Sequence, residues 1–304
     1  MQAVLDYSEV TIQPGRRIGS YRLIRHLSQG GMSDVYMGYH ITTREFVVVK
    51  VIDGEAVDPK LVHREIEVMQ ALDHQHILSC LDAGQYEHYY YLVMPYLRGG
   101  SLEDRLQGRI LTLEDTEDIL EQLTSALAYI HALGLLHRDI KPANILFDRD
   151  NRLYLTDFGI VTWLGERPGC NGHMMGTPHF TAPEILEGHV DVRSEVYSVG
   201  ILLYQMLTGY VPFDGPSDEI CMHHWKTQPM APSLLNPSIP RSVERVILRA
   251  LEKDPDHRYQ SIEEFFFAYQ KAIEAHTFSK QFKWLFYSPS CVLTPASANV
   301  AISR

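Results

Sequence analysis

Between residues 21 and 96 the apolar positions come in short runs rich in β-branched and aromatic side chains. The runs 21–23, 35–39, 46–52 and 89–94 predict strands. A helix is predicted before the last of them: Asp58 can cap it, Pro59 suits its first turn, and Leu61, Val68, Met69 and Leu72 keep helical spacing. Past Gly99 the period lengthens. Residues 116–133 place Ile119, Leu123, Leu127 and Ile130 on one helical face, with Gly134 as the C-terminal stop. Residues 196–207 are apolar nearly all round, which predicts a buried helix, and 243–251 and 262–273 predict two more. Residues 1–20, with Pro14 and Gly15, read as a flexible lead-in, and 277–304 return to weak patterning. A small β-rich lobe followed by a larger helical lobe is the architecture this pattern predicts.

The length fits that division: 304 residues allow two units of about 150 residues and a sizeable core without staples. Charge narrows the partners. With 27 Lys and Arg against 38 Asp and Glu, the net −11 disfavours phosphate backbones and anionic lipid, so no nucleic acid is expected. Cys80, Cys170, Cys221 and Cys291 form no C-x-x-C pair, which argues against a zinc ribbon and suits a reducing compartment. The start Met1-Gln2-Ala3 does not read as a signal peptide or a myristoylation site, and the longest apolar stretch, 201–207, is far short of the ~20 residues that span a bilayer. The expectation is a soluble, cytoplasmic chain with no membrane segment. His223-His224 has no metal-ligand partner at a persuasive spacing and reads as surface.

Two charges interrupt the apolar pattern. Lys50 breaks the run from Phe46 to Ile52, and Glu65 falls on the apolar stripe of the first helix. A lone buried charge is costly, so each needs a partner, and each can serve the other. The alternative is that both reach solvent at a lobe edge. A stronger pattern is His137-Arg138-Asp139-Ile140-Lys141-Pro142-Ala143-Asn144, followed by Asp157-Phe158-Gly159 and then by Ala182-Pro183-Glu184. In this order and spacing the motifs resemble the protein kinase superfamily, specifically bacterial serine/threonine kinases of the eukaryotic-like type, over roughly residues 21–273.

The resemblance implies a bilobal α+β fold with a kinase domain at 21–275. Its N-lobe covers 21–95 and its C-lobe 96–275, with an N-terminal extension at 1–20 and a C-terminal tail at 276–304. It also implies ATP and Mg²⁺. Lys50 would hold the α- and β-phosphates, oriented by Glu65, and Asp139 would act as catalytic base with Lys141 steadying the transferred group. Asn144 and Asp157 would be the metal ligands. The nucleotide would lie among Leu27, Ser28, Gly30, Val35, Val48 and Lys50 on one side. Met94, Pro95, Leu97, Asn144, Leu146 and Asp157 would complete its site. Thr177, in Gly176-Thr177-Pro178, would touch the catalytic loop, and Arg258 would pair with Glu184. Leu81, Met69, Phe158 and His137 would form the stack that links the lobes.

Several positions depart from the family pattern. The phosphate-covering loop, Ser28-Gln29-Gly30-Gly31-Met32-Ser33-Asp34-Val35, keeps only Gly30 at a motif position, which implies weakened nucleotide binding. Val48 stands where alanine leaves room for adenine. Pro95 loses only its own N–H, so its carbonyl and the Leu97 N–H can still read a base. Glu195 replaces an aspartate that anchors the catalytic loop, and a looser loop is expected. From Trp163 to Gly176 there is no Ser, Thr or Tyr, so activity independent of a phosphate in that stretch is expected.

The reading is a serine/threonine protein kinase acting on protein substrates. A pseudokinase scaffold is the first rival, motivated by Ser28, Ser33, Val48 and Glu195. A small-molecule phosphotransferase comes last, because the two peptide-platform motifs are present. For association, a homodimer or a partner docking on the tail aromatics Phe278, Phe282, Trp284, Phe286 and Tyr287 stays open beside a poorly ordered terminus.

Overall fold

The computed structural model describes residues 12–29, 33–55, 57–158, 162–163 and 177–286. The first lobe is an antiparallel sheet whose spatial order is β1 (Arg17–Ile18), β2 (Tyr21–Gln29), β3 (Ser33–His40), β4 (Phe46–Asp53), β6 (Tyr89–Pro95) and β5 (Asp82–Tyr86). Period-two alternation sorts β4 between two environments. Val47, Val49 and Val51 join an outer cluster with Ile18, Leu23, Tyr36, Tyr91 and Val93, whereas Val48 and Lys50 line the cleft between the lobes. Helix α1 (Pro59–Ala71) starts as expected, with the Asp58 carboxylate accepting from the Lys60 N–H at 2.9 Å.

The second lobe is mainly helical. It contains α2 (Leu102–Leu106), α3 (Leu113–Ala132), α4 (Val192–Thr208), α5 (Ser217–Lys226), α6 (Pro232–Leu235), α7 (Arg241–Ala250) and α8 (Ile262–Phe286). Short strands β7 (Leu135–Leu136) and β10 (Thr162–Trp163) pair, as do β8 (Ile145–Phe147) and β9 (Leu153–Leu155). Apart from the outer cluster, one core runs from Val62 and Met69 of α1 through Leu92 and Met94 to Leu123, Leu202 and Phe265, so it spans both lobes. The connection after β6 presses close to β8. A Cβ on Gly99 would lie 2.2 Å from the Asp148 carbonyl oxygen, so no larger residue fits there.

Four expectations change. The lead-in is packed from Ile12 onward: Ile12 is buried, its N–H donates to the Tyr36 hydroxyl at 3.0 Å, and Arg16 pairs with Glu87. Helix α3 begins at Leu113 because Thr112 and Asp115 cap one another reciprocally. Helix α8 continues past 273 to Phe286 and carries Phe278 exposed, while Tyr287 lies outside the described residues. His224 is buried, not on the surface, with Nδ1 2.8 Å from the Tyr197 hydroxyl, and burial lowers its pKa to about 3. Among the described residues, no helix is long and apolar enough to cross a membrane.

Candidate active site

The cleft between the lobes encloses about 610 Å³. Its floor is the loop after β7. His137 is fully buried; its Nε2–H donates to the Thr156 carbonyl at 3.0 Å and its Nδ1 accepts from the Asp139 N–H at 3.3 Å, which fixes the tautomer. The next residue, Arg138, adopts φ 67°, a left-handed conformation that a non-glycine residue holds only against local cost. That geometry aims its N–H at Glu195 Oε1, 2.8 Å away, and Glu195 Oε2 accepts from His131 Nε2.

Glu195 therefore does not leave the loop slack. Its longer stem lets one buried carboxylate hold both the loop backbone and the last turn of α3. Burial opposes the Glu195 charge, but His131 and the Arg138 N–H more than offset it and hold the carboxyl below its usual range. His131 was not singled out in the sequence. Its position in the final turn of an amphipathic helix, six residues before His137, was the available signal.

Asp139 sits at the centre of a dense set of donors. Lys141 Nζ lies 2.6 Å from Asp139 Oδ2 and 3.0 Å from Thr177 Oγ1, and Thr177 Oγ1 donates to Asp139 Oδ1 at 3.1 Å. Asn144 Nδ2 donates to Asp139 Oδ2 at 2.9 Å and to the Asp139 carbonyl at 2.8 Å, which leaves the Asn144 amide oxygen for other partners. The β8–β9 hairpin explains the spacing of the motifs. Ile145 pairs with Leu155, and the Thr156 N–H reaches the Asn144 carbonyl, so Asn144 and Asp157 emerge side by side from the two ends of one hairpin.

Lys50 joins this floor to the roof. Its Nζ is 2.7 Å from Glu65 Oε1 and 2.7 Å from Asp157 Oδ1. Burial disfavours the ammonium, yet Asp157 and Glu65 together raise its pKa above the ordinary lysine value. The structure thus brings both predicted charges to one point, with Asp157 also in a left-handed conformation, φ 67°. Phe158 is buried edge-on against His137, ring centroids 4.7 Å apart, and Met69 lies in the same core. Leu81 does not join that stack. It is 55% exposed, and Cys80, one residue earlier, packs against the core instead. A one-residue error in a strand exchanges the two faces.

Of the residues expected around a nucleotide, Leu27, Ser28, Val35, Val48, Lys50, Met94, Pro95, Leu97, Asn144, Leu146 and Asp157 all line the cleft. Gly30 lies outside the described residues, as does 164–176, which is all but the first residue of the segment 163–176 that lacks Ser, Thr and Tyr. The cleft also takes in Leu78, Leu92 and Thr156, which the motifs did not flag. Below it, Arg258 is fully buried and meets Glu184 in a two-pronged pair at 2.7 and 2.8 Å; the carbonyls of Arg193, Glu252 and Lys253 take its other hydrogen bonds. A buried guanidinium is tolerable only when its donors are satisfied in this way.

Comparison with known proteins identifies the family. The model of the protein kinase domain matches residues 21–268. Serine/threonine-protein kinase PrkC of Bacillus subtilis is 36% identical over 261 residues, covering 82% of this chain and 40% of the relative. Serine/threonine-protein kinase Pkn1 of Myxococcus xanthus is 37% identical over 275 residues, 86% of this chain and 39% of the relative. Serine/threonine-protein kinase PknJ of Mycobacterium tuberculosis is 33% identical over 268 residues, 84% and 45% of the two chains. The chain thus spans less than half the length of these relatives. A match over most of the chain, with the cleft built as described, places it in the protein kinase domain family.

Proposed function

We propose that the chain is a serine/threonine protein kinase that transfers the γ-phosphate of ATP to Ser or Thr hydroxyls of protein substrates. The observation that carries this reading is the hydrogen bond from Thr177 Oγ1 to Asp139 Oδ1: an alcohol already donates to that carboxylate. A substrate hydroxyl in the same relation would pass its proton to Asp139 as its oxygen attacks the γ-phosphorus. The bond from that phosphorus to the bridging oxygen breaks, and ADP departs. Lys50 neutralises the triphosphate, and Lys141, between Asp139 and Thr177, balances charge on the transferred group.

The donors suit a divalent ion. The Asn144 amide oxygen and the second Asp157 carboxylate oxygen are hard ligands at the cleft, which fits Mg²⁺ held by few protein groups and by substrate phosphates. When bound, Mg²⁺ would supply charge neutralisation at the phosphates. A cytoplasmic site of action goes with this reading, because ATP is supplied there. The test is transfer of labelled γ-phosphate to a generic protein substrate by wild type, Asp139→Asn and Lys50→Met. Signal in wild type and its loss in both variants is expected, and equal background from all three would favour a scaffold.

A further inference from the structure

On the reverse face of the β2–β3 hairpin lies a buried pair that no step above uses. Asp34 is 1% exposed, and its Oδ1 accepts from His26 Nε2 at 3.0 Å. Across the hairpin His26 faces Tyr36, with its ring edge-on and 5.2 Å between centroids. Between His26 and Ser28, β2 carries one extra residue, Leu27. This bulge brings His26 onto the face of Asp34, its diagonal neighbour on the partner strand. On the opposite face Ser28 pairs with Val35, and both line the cleft.

A buried carboxylate is a costly way to fill such a position. An apolar residue beside His26 and Tyr36 would bring no charge to desolvate. What the pair adds is register. A slip of one residue would turn Asp34 outward and take Val35 off the cleft face. The cleft-facing end of the hairpin carries Ser28 and Ser33, and the N–H of Ile12 ties the chain before the sheet to Tyr36 in the outer cluster.

We infer that His26 and Asp34 are a positioning pair for the phosphate-covering loop. They fix the β2–β3 register from behind and so set where the backbone of Ser28, Gln29 and Ser33 meets the triphosphate. This rests on the nucleotide reading of the cleft given above. The full chain is titrated with ATP and, separately, with adenosine, which lacks phosphates, and KM for ATP and kcat are measured.

His26→Ala and Asp34→Ala are each expected to weaken ATP binding about three- to tenfold. Adenosine affinity and kcat should stay within about twofold, and the double variant should be little worse than either single one. Asp34→Asn, which keeps the shape and an acceptor, should recover part of the loss. If the alanine variants do not fold, Asp34→Asn and His26→Gln carry the same comparison. Equal weakening of ATP and adenosine would overturn the inference, because the pair would then support the lobe as a whole. Unchanged ATP affinity in folded variants would overturn it too. Wild-type protein that binds neither compound would overturn the nucleotide reading, and this inference with it, before any variant is made.

Discussion

The floor and the roof of the cleft are built to different tolerances. On the floor, Asp139 is held through both carboxylate oxygens, and its loop is anchored from below by Glu195 and His131. On the roof, the loop that would cover the phosphates carries serines at two positions where glycine allows closer approach, and its support comes from the far side of the sheet. Under the proposed function, the difference follows from what each side would do. In-line transfer fails when reacting atoms are misplaced by an ångström, whereas backbone contacts to a flexible triphosphate accept some displacement. Rigid polar networks belong where direction matters most.

The largest break in this contrast is expected from Asp139→Asn, which should lower phosphoryl transfer by about 10²–10⁴-fold and leave ATP affinity nearly unchanged. A parallel loss of ATP binding would mean that floor and roof are not separable. Glu195→Gln attacks the anchor beneath the same loop and should cost about 1–3 kcal/mol of stability near neutral pH, read from urea midpoints, together with a fall in kcat.

The pH dependence of that cost has a definite sign. The folded Glu195 carboxyl titrates below its usual range, so its contribution is complete above the unfolded glutamate value of about 4.3. As pH falls through the depressed folded value, the gap between wild type and variant should close. A gap that stays constant down to pH 3 would show that the charge is not what anchors the loop. The smallest effect is on the roof. Ser28→Gly should improve ATP affinity about two- to fivefold through easier backbone approach, measured as KM for ATP.

Much of this site was legible because charge in an apolar pattern is conspicuous. Lys50 and Glu65 stood out for that reason, and they meet at 2.7 Å. Asn144 and Asp157 could be read through the motifs they resemble, but the hairpin that brings them side by side could not. Other features left no such trace. Strand β5, Asp82-Ala83-Gly84-Gln85-Tyr86, lacks an apolar period and is defined by pairing with β6. Leu81 and Cys80 exchanged roles because strand phase after an irregular segment is set by the partner strand. His224 looked like half of a surface pair, yet contacts from Tyr197 and Phe213, distant in sequence, bury it. Ile12, an isolated apolar residue near Pro14, offered too little pattern to show that it closes the outer core.

The shared ammonium of Lys50 has one more consequence. Its two carboxylate partners come from α1 in one lobe and from the hairpin end in the other, so the environment of a single nitrogen records whether the halves are engaged. While both contacts stand, the amine is held protonated and is a poor nucleophile. Separation of Asp157, the partner in the second lobe, removes one of the two charges that hold it so. The rate at which an amine-acylating reagent marks that one residue is therefore a clock for opening of the cleft, readable without substrate and without any label placed in advance.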